Sequence, residues 1–173
     1  MLQLTKRTEY GLIALTHLAG REGEVTSVRE IAEHYSVPRR LLAEVLKELC
    51  RTGHVISQRG ASGGYSLSRP ANAVTLGEVV AALEGRPSIT GCETMGAFKL
   101  DGCDVEPRCP IRSPLQRIRS GIWNMMQRTT LSDLANPGFN FDPAKFDSKS
   151  PELSSLDSGD QNSDYTSRIP FSA

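Results

Sequence analysis

Residues 27–69 constrain the fold of this 173-residue chain more than any other stretch. Ser27 stands three places before Glu30, the spacing at which a hydroxyl caps the first amides of a helix and a carboxylate closes back onto the cap, so a helix opens there. Val28, Ile31, Ala32 and Tyr35 then fall at i, i+3, i+4 and i+7. Ser36 and Val37 break the period, and Pro38 takes a first-turn place in the next helix, where its missing N–H is no loss. Leu42, Val45, Leu46 and Leu49 repeat the same spacing until Gly53 stops it. Two short amphipathic helices joined by a tight polar turn make a helix-turn-helix unit. Residues 54–59 and 65–69 follow as two strands, joined across residues 60–64 (GASGG) by a flexible turn, so the unit carries a β-hairpin wing.

The rest of the chain adds helices around this unit. Leu12, Leu15 and Leu18, with Ile13 and Ala19 beside them, predict a helix over residues 4–19 with one buried stripe, ended by Gly20. Residues 75–85 predict another, with Leu76, Val79, Val80 and Leu83 on one face and Thr75 as its cap; it is expected to pack onto the wing. Leu115, Ile118, Ile122, Met125 and Thr129 alternate by three and four along one long helix over 114–134, a seam that suits pairing with a second copy of the chain. The fold class is therefore mainly α with a small β-hairpin. A winged helix-turn-helix domain (1–86) is followed by a cysteine-rich loop (87–112), a dimerisation helix (113–136) and a tail (137–173). The tail holds four prolines, eight serines and a net charge of minus three, with apolar residues lacking any period, so it reads as disordered.

Charge directs the function. The chain is balanced, with 20 basic and 20 acidic residues, but residues 36–70 carry Arg39, Arg40, Lys47, Arg51, Arg59 and Arg69 against only Glu44 and Glu48. A local excess of that sign on a helix-turn-helix unit points to nucleic-acid phosphates. Arg39 and Arg40 open the second, recognition helix, while Arg59 and Ser62 sit in a Gly-rich wing suited to a minor groove. The expected DNA surface comprises Ser27, Pro38, Arg39, Arg40 and Glu44 from the helices and Arg59, Ser62, Gly63, Gly64 and Tyr65 from the wing. No run of 18 apolar residues and no signal-peptide core occur, so the chain is expected in the cytoplasm without a membrane partner. No nucleophile–base pairing, P-loop or dinucleotide fingerprint argues for an enzyme.

Cys92, Cys103 and Cys109 lie within GCETMGAFKLDGCDVEPRCPIR at residues 91–112. Thiolates projected from irregular, Gly- and Pro-punctuated backbone are how proteins hold zinc or iron-sulfur clusters, because converging ligands need directions that no single helix face supplies. In a reducing compartment a metal or redox role is favoured over a disulfide. The spacing C-x10-C-x5-C does not by itself name the metal. The fourth cysteine, Cys50, sits beside Leu49 and reads as a small core residue.

Several motifs together resemble the IscR/NsrR/CymR-type regulators, bacterial winged-helix dimers that sense iron-sulfur status, nitric oxide, iron or cysteine. They are LTKRTEYGL at 4–12, IAEHYSVP at 31–38, LKEL at 46–49, RGASGGYSL at 59–67, TLGEVV at 75–80 and the cysteine trio, a likeness spanning roughly residues 1 to 135. The resemblance implies a homodimer on a pseudo-palindromic double-stranded DNA operator, with the three cysteines ligating a 2Fe-2S or 4Fe-4S cluster. The first cysteine gap is longer than relatives commonly show, and Arg112 stands where their histidine follows the last cysteine. A fourth ligand would come from elsewhere. The resemblance points to Glu9, matching an acidic first-helix residue donated by the partner subunit, and His34 is a second candidate because imidazole replaces thiolate in some two-iron clusters. A cluster-free regulator acting through zinc or thiol oxidation, and a small iron-sulfur electron carrier, are the alternatives.

Overall fold

The computed structural model describes residues 4–60, 62–85 and 109–140. Helix α1 (Lys6–Ala19) is followed by α2 (Val28–Tyr35), α3 (Arg39–Arg51), strands β1 (Val55–Gln58) and β2 (Gly64–Leu67), a short 3-10 turn (Ala71–Ala73), α4 (Leu76–Glu84), α5 (Arg112–Arg128) and α6 (Leu131–Ala135). The result is a winged helix-turn-helix domain, mainly α with one antiparallel hairpin, continued by a long helix. Cys92 and Cys103 lie outside the described residues, as do most of the expected tail and Ala61 of the wing turn.

The helix-turn-helix forms through local capping. Ser27 Oγ accepts from the Glu30 amide at 3.1 Å. The Glu30 carboxylate pairs with Arg21 instead of returning to the cap, so only half of the expected box is made. Ser36 ends α2 in the left-handed region, at φ 53°, and the Val37 amide reaches back to the Ala32 carbonyl at 3.1 Å. Pro38 is the N-cap of α3, one place earlier than its expected first-turn position, and its carbonyl takes the Leu42 amide at 3.0 Å.

Leu42, Val45, Leu46 and Leu49 of α3 are fully buried against Ala14, Leu15 and Leu18 of α1 and Ile31 of α2. The buried stripe of α1 is rotated from the expected one, through Thr8, Gly11, Leu15 and Leu18, leaving Leu12 and Ile13 half-buried. Gly11 explains the rotation. A Cβ there would lie 2.7 Å from Leu83 Cδ1 and 3.2 Å from Val45 Cγ1, so α1 turns its smallest residue to the point where α3 and α4 converge. Helix α4 carries a complete Thr75–Glu78 capping box and packs chiefly on α1, α3 and α5, not on the wing as expected.

The long C-terminal helix is shorter than the apolar seam suggests. It stops at Arg128, and Thr130 opens α6 with a second capping box to Asp133. The two boxed helices start side by side: the Leu76 amide donates to the Thr129 carbonyl at 2.8 Å and the Leu131 amide to the Val74 carbonyl at 2.9 Å. Leu131 thereby enters the core at 0% exposure, so the core draws on residues well beyond 86.

Candidate nucleic-acid interface

With one face of α3 buried, its other face presents Arg39, Arg40, Glu44 and Lys47 to solvent. Arg40 and Glu44 form an i, i+4 pair at 3.5 Å with both side chains well exposed. Such a pair is weak and its guanidinium exchanges readily onto a phosphate. Arg51 is engaged with Glu48, whose carboxylate is held below the usual range by that hydrogen bond. Arg69 is also committed, to the Ala73 carbonyl at 3.1 Å and to Glu78 at 3.3 Å, where it braces the base of the wing. Among the described residues, Arg39, Lys47 and Arg59 are the cations of this region outside ion pairs. The basic excess read from the sequence thus concentrates at the start of α3, along its open face and at the wing tip.

The wing pairs Val55 with Leu67, Ile56 with Ser66, Ser57 with Tyr65 and Gln58 with Gly64. Its base is tied down: Ser68 N donates to the His54 carbonyl at 3.1 Å, and Ser68 Oγ donates to the Gly53 carbonyl. Arg59 and Ser62 are exposed in the turn, which closes with the Gly63 amide on the Gly60 carbonyl at 3.0 Å. Tyr65 is half-buried, and its ring packs on the core beside Cys50, with burial raising its phenol above the usual range. Ser27 is the α2 cap. Tyr65 and Ser27 therefore shape the interface from beneath, while Pro38, Arg39, Arg40, Glu44, Arg59 and Ser62 face out.

One element escaped sequence reading. Thr26 bridges Tyr65 through two hydrogen bonds of 2.9 Å, adding a single-residue third strand to the wing sheet immediately before the α2 cap. A lone Thr in a polar turn carries no period; its only signal was its place next to Ser27.

The candidate metal ligands are dispersed. Cys109 is half-buried immediately before α5, with its carbonyl taking the Arg112 amide at 3.4 Å. Glu9, in the first turn of α1, pairs with Lys6. His34 lies tilted against His17 and edge-on to Tyr35, at centroid distances of 5.5 and 4.6 Å. His17 is eight residues along α1 from Glu9. At a rise of about 1.5 Å per residue Glu9 and His17, the α1 residue that His34 approaches, stand roughly 12 Å apart along the helix. No group of three His, Cys, Asp or Glu converges among the described residues. Cys50 is half-buried against the core, as expected.

A recognition helix with an open basic face beside a basic-tipped hairpin defines a winged-helix DNA-binding regulator. Residues 4–137 match the Rrf2 family, described as iron-dependent transcriptional regulators, and the chain belongs to that family. It is 30% identical to the Bacillus subtilis global cysteine regulator CymR, covering 78% of this chain and 97% of that one at a TM-score of 0.63. A transcriptional regulator from Listeria innocua is 27% identical, covering 80% and 89% at 0.65. The IscR of T. potens, 24% identical over 84% and 96% at 0.59, shares the fold. The family is one of regulators, not enzymes. No helix among the described residues is long and apolar enough to cross a membrane.

Proposed function

We propose that this chain is a cytoplasmic, homodimeric regulator that reads a pseudo-palindromic duplex, and that Cys92, Cys103 and Cys109 hold a 2Fe-2S or 4Fe-4S cluster controlling that reading. The observation that carries the DNA part is the pair of arginines outside ion pairs among the described residues, Arg39 at the head of α3 and Arg59 at the wing tip, in one winged-helix unit. The first suits the major groove and the second the narrower minor groove beside it. Dimerisation is supported by α5 and its N-cap, which expose Ile118 and Ile111 (53% and 58%) with Leu115 and Ile122 half-buried near them. An apolar face of this kind on a long helix favours a second copy.

The donor chemistry fits a cluster: three thiols in a Gly- and Pro-punctuated segment, the last of them three residues before α5. A bound cluster would supply sensitivity to oxidants, nitric oxide and iron supply. Cys109 is one residue from the Pro110–Ile111 lead into α5, so ligation there constrains the start of that helix. Glu84, the last residue of α4, accepts from Thr5 N at 2.8 Å and Thr5 Oγ1 at 2.7 Å, holding the other end of the cysteine segment against α1, which carries Glu9. The fourth ligand is proposed as Glu9 of the partner subunit ahead of His34.

A second reading, control by cysteine thiols or zinc without iron, is favoured by the similarity to a cysteine regulator. Anaerobic purification separates the two. Brown protein containing iron, bleached in Cys92→Ala, Cys103→Ala and Cys109→Ala with altered operator affinity, supports the cluster. Colourless protein with stoichiometric zinc, or with oxidant-dependent affinity alone, supports the second. An operator affinity that stays flat between about 50 and 200 mM salt would refute the basic interface itself.

A further inference from the structure

The glycines at residues 63 and 64 do different jobs. A Cβ on Gly63 would meet the Gln58 carbonyl oxygen at 2.5 Å and that of Gly60 at 2.9 Å, so Gly63 is needed to close the tip. A Cβ on Gly64 would fall 2.3 Å from the Thr26 carbonyl oxygen, 2.6 Å from its carbon and 2.9 Å from the Ser27 nitrogen. All three are backbone atoms, so none can swing aside. Next to this contact, Thr26 N donates to the Tyr65 carbonyl and Tyr65 N to the Thr26 carbonyl, both at 2.9 Å. Ser27, one residue on, is the cap of α2. The wing is thus bolted at the turn-side end of β2 to the start of the helix-turn-helix.

We propose that Gly64 is a positioning residue for DNA reading. Its missing Cβ lets β2 close on Thr26, and that bridge fixes Arg59 at a set distance from the recognition helix. The proposal rests on the DNA-binding reading and adds to it which residue sets the wing. Its probe is a duplex selected from a random-sequence library with the wild-type dimer, beside an unselected duplex.

Gly64→Ala is expected to weaken binding to the selected duplex about tenfold, the effect of one lost arginine contact, and to make the salt dependence shallower by about one phosphate. The thermal transition stays cooperative, and hydrogen exchange quickens at Thr26 and Tyr65 but not at Leu46 or Leu49. In an Arg59→Ala background the same change has little further effect, because the contact it misplaces is already gone. Thr26→Pro, which removes one bridge donor without adding bulk at β2, is expected to act in the same way. Wild-type affinity in both variants, an undiminished effect of Gly64→Ala in the Arg59→Ala background, or loss of cooperative folding in both variants each overturns the proposal; the last would make the bridge a support for the core. Failure of the wild-type protein to prefer any duplex would instead sink the DNA-binding reading.

Discussion

Gly77 offers a quantitative test of how the long helix is joined to the DNA-binding domain. It lies in the first turn of α4, and a Cβ there would stand 2.8 Å from Gln127 Nε2, 2.9 Å from Gln127 Cδ and 3.1 Å from the Gln127 backbone nitrogen. Gly77→Ala brings two opposing effects. Replacing glycine in a helix gains up to about 1 kcal/mol, and less in a first turn. Overpacking a close contact costs roughly 1–3 kcal/mol. The Gln127 side chain can move, but its backbone nitrogen is fixed in α5, so the overpacking term wins. The net effect is a loss of about 1 kcal/mol, or a fall of roughly 2–4 °C in Tm. Thermal melts at one protein concentration measure it, since self-association would otherwise shift the midpoint. Adding Gln127→Ala removes the two side-chain conflicts and leaves the backbone one, so the double variant should recover about half of the loss, a coupling visible in a double-mutant cycle. A Gly77→Ala protein that melts at or above wild type, or one that gains nothing from Gln127→Ala, would refute the packing described for α4 and α5.

Three further outcomes follow from the same contacts. Ser27→Ala removes the α2 cap and should lower stability by about 1 kcal/mol, seen as a shifted urea midpoint with an unchanged m-value. Burial first, then Arg21 and His34, holds His17 below its ordinary 6.5 against the opposing pull of Glu30, and burial does the same for His54. Both rings resist protonation in the fold and take up a proton first in the unfolded chain. The stability they contribute is therefore present above about pH 6.5 and is lost as pH falls from there through the folded values, so urea midpoints should drop on acidification below about pH 6.5 and drop less in His17→Gln/His54→Gln. Arg39→Ala should lower the slope of log affinity against log salt by about one contact, whereas Arg69→Ala, whose guanidinium is engaged by Glu78 and Ala73, should leave it unchanged.

The helix-turn-helix and wing were legible because their signals are local: a cap, an apolar period and a Gly-rich turn each act within a few residues. The rotated stripe of α1 was not, because Leu12 and Leu15 look alike in sequence, and what turns the helix is the approach of Leu83 and Val45 to Gly11 from distant parts of the chain. The break at Thr129 and Thr130 was hidden for a related reason. The apolar spacing runs straight through it, and the deciding bonds are made to Val74 and Leu76, more than fifty residues earlier. Of the interface, the charges could be counted but not their engagements: nothing local distinguishes Arg69, held by α4, from Arg59, which is outside any ion pair among the described residues. The Thr26 bridge, a single residue long, has no pattern to detect.

The return of Leu131 to the core also bears on how such a protein could be dissected. A fragment ending near residue 86 would leave a void where that leucine sat and the Leu76 amide without its acceptor. The head is closed by a plug that arrives from beyond residue 130, so α5 and α6 belong to it as much as the wing does. Whatever tilts α6 therefore loosens the stopper of the very compartment that orients the DNA-reading helix.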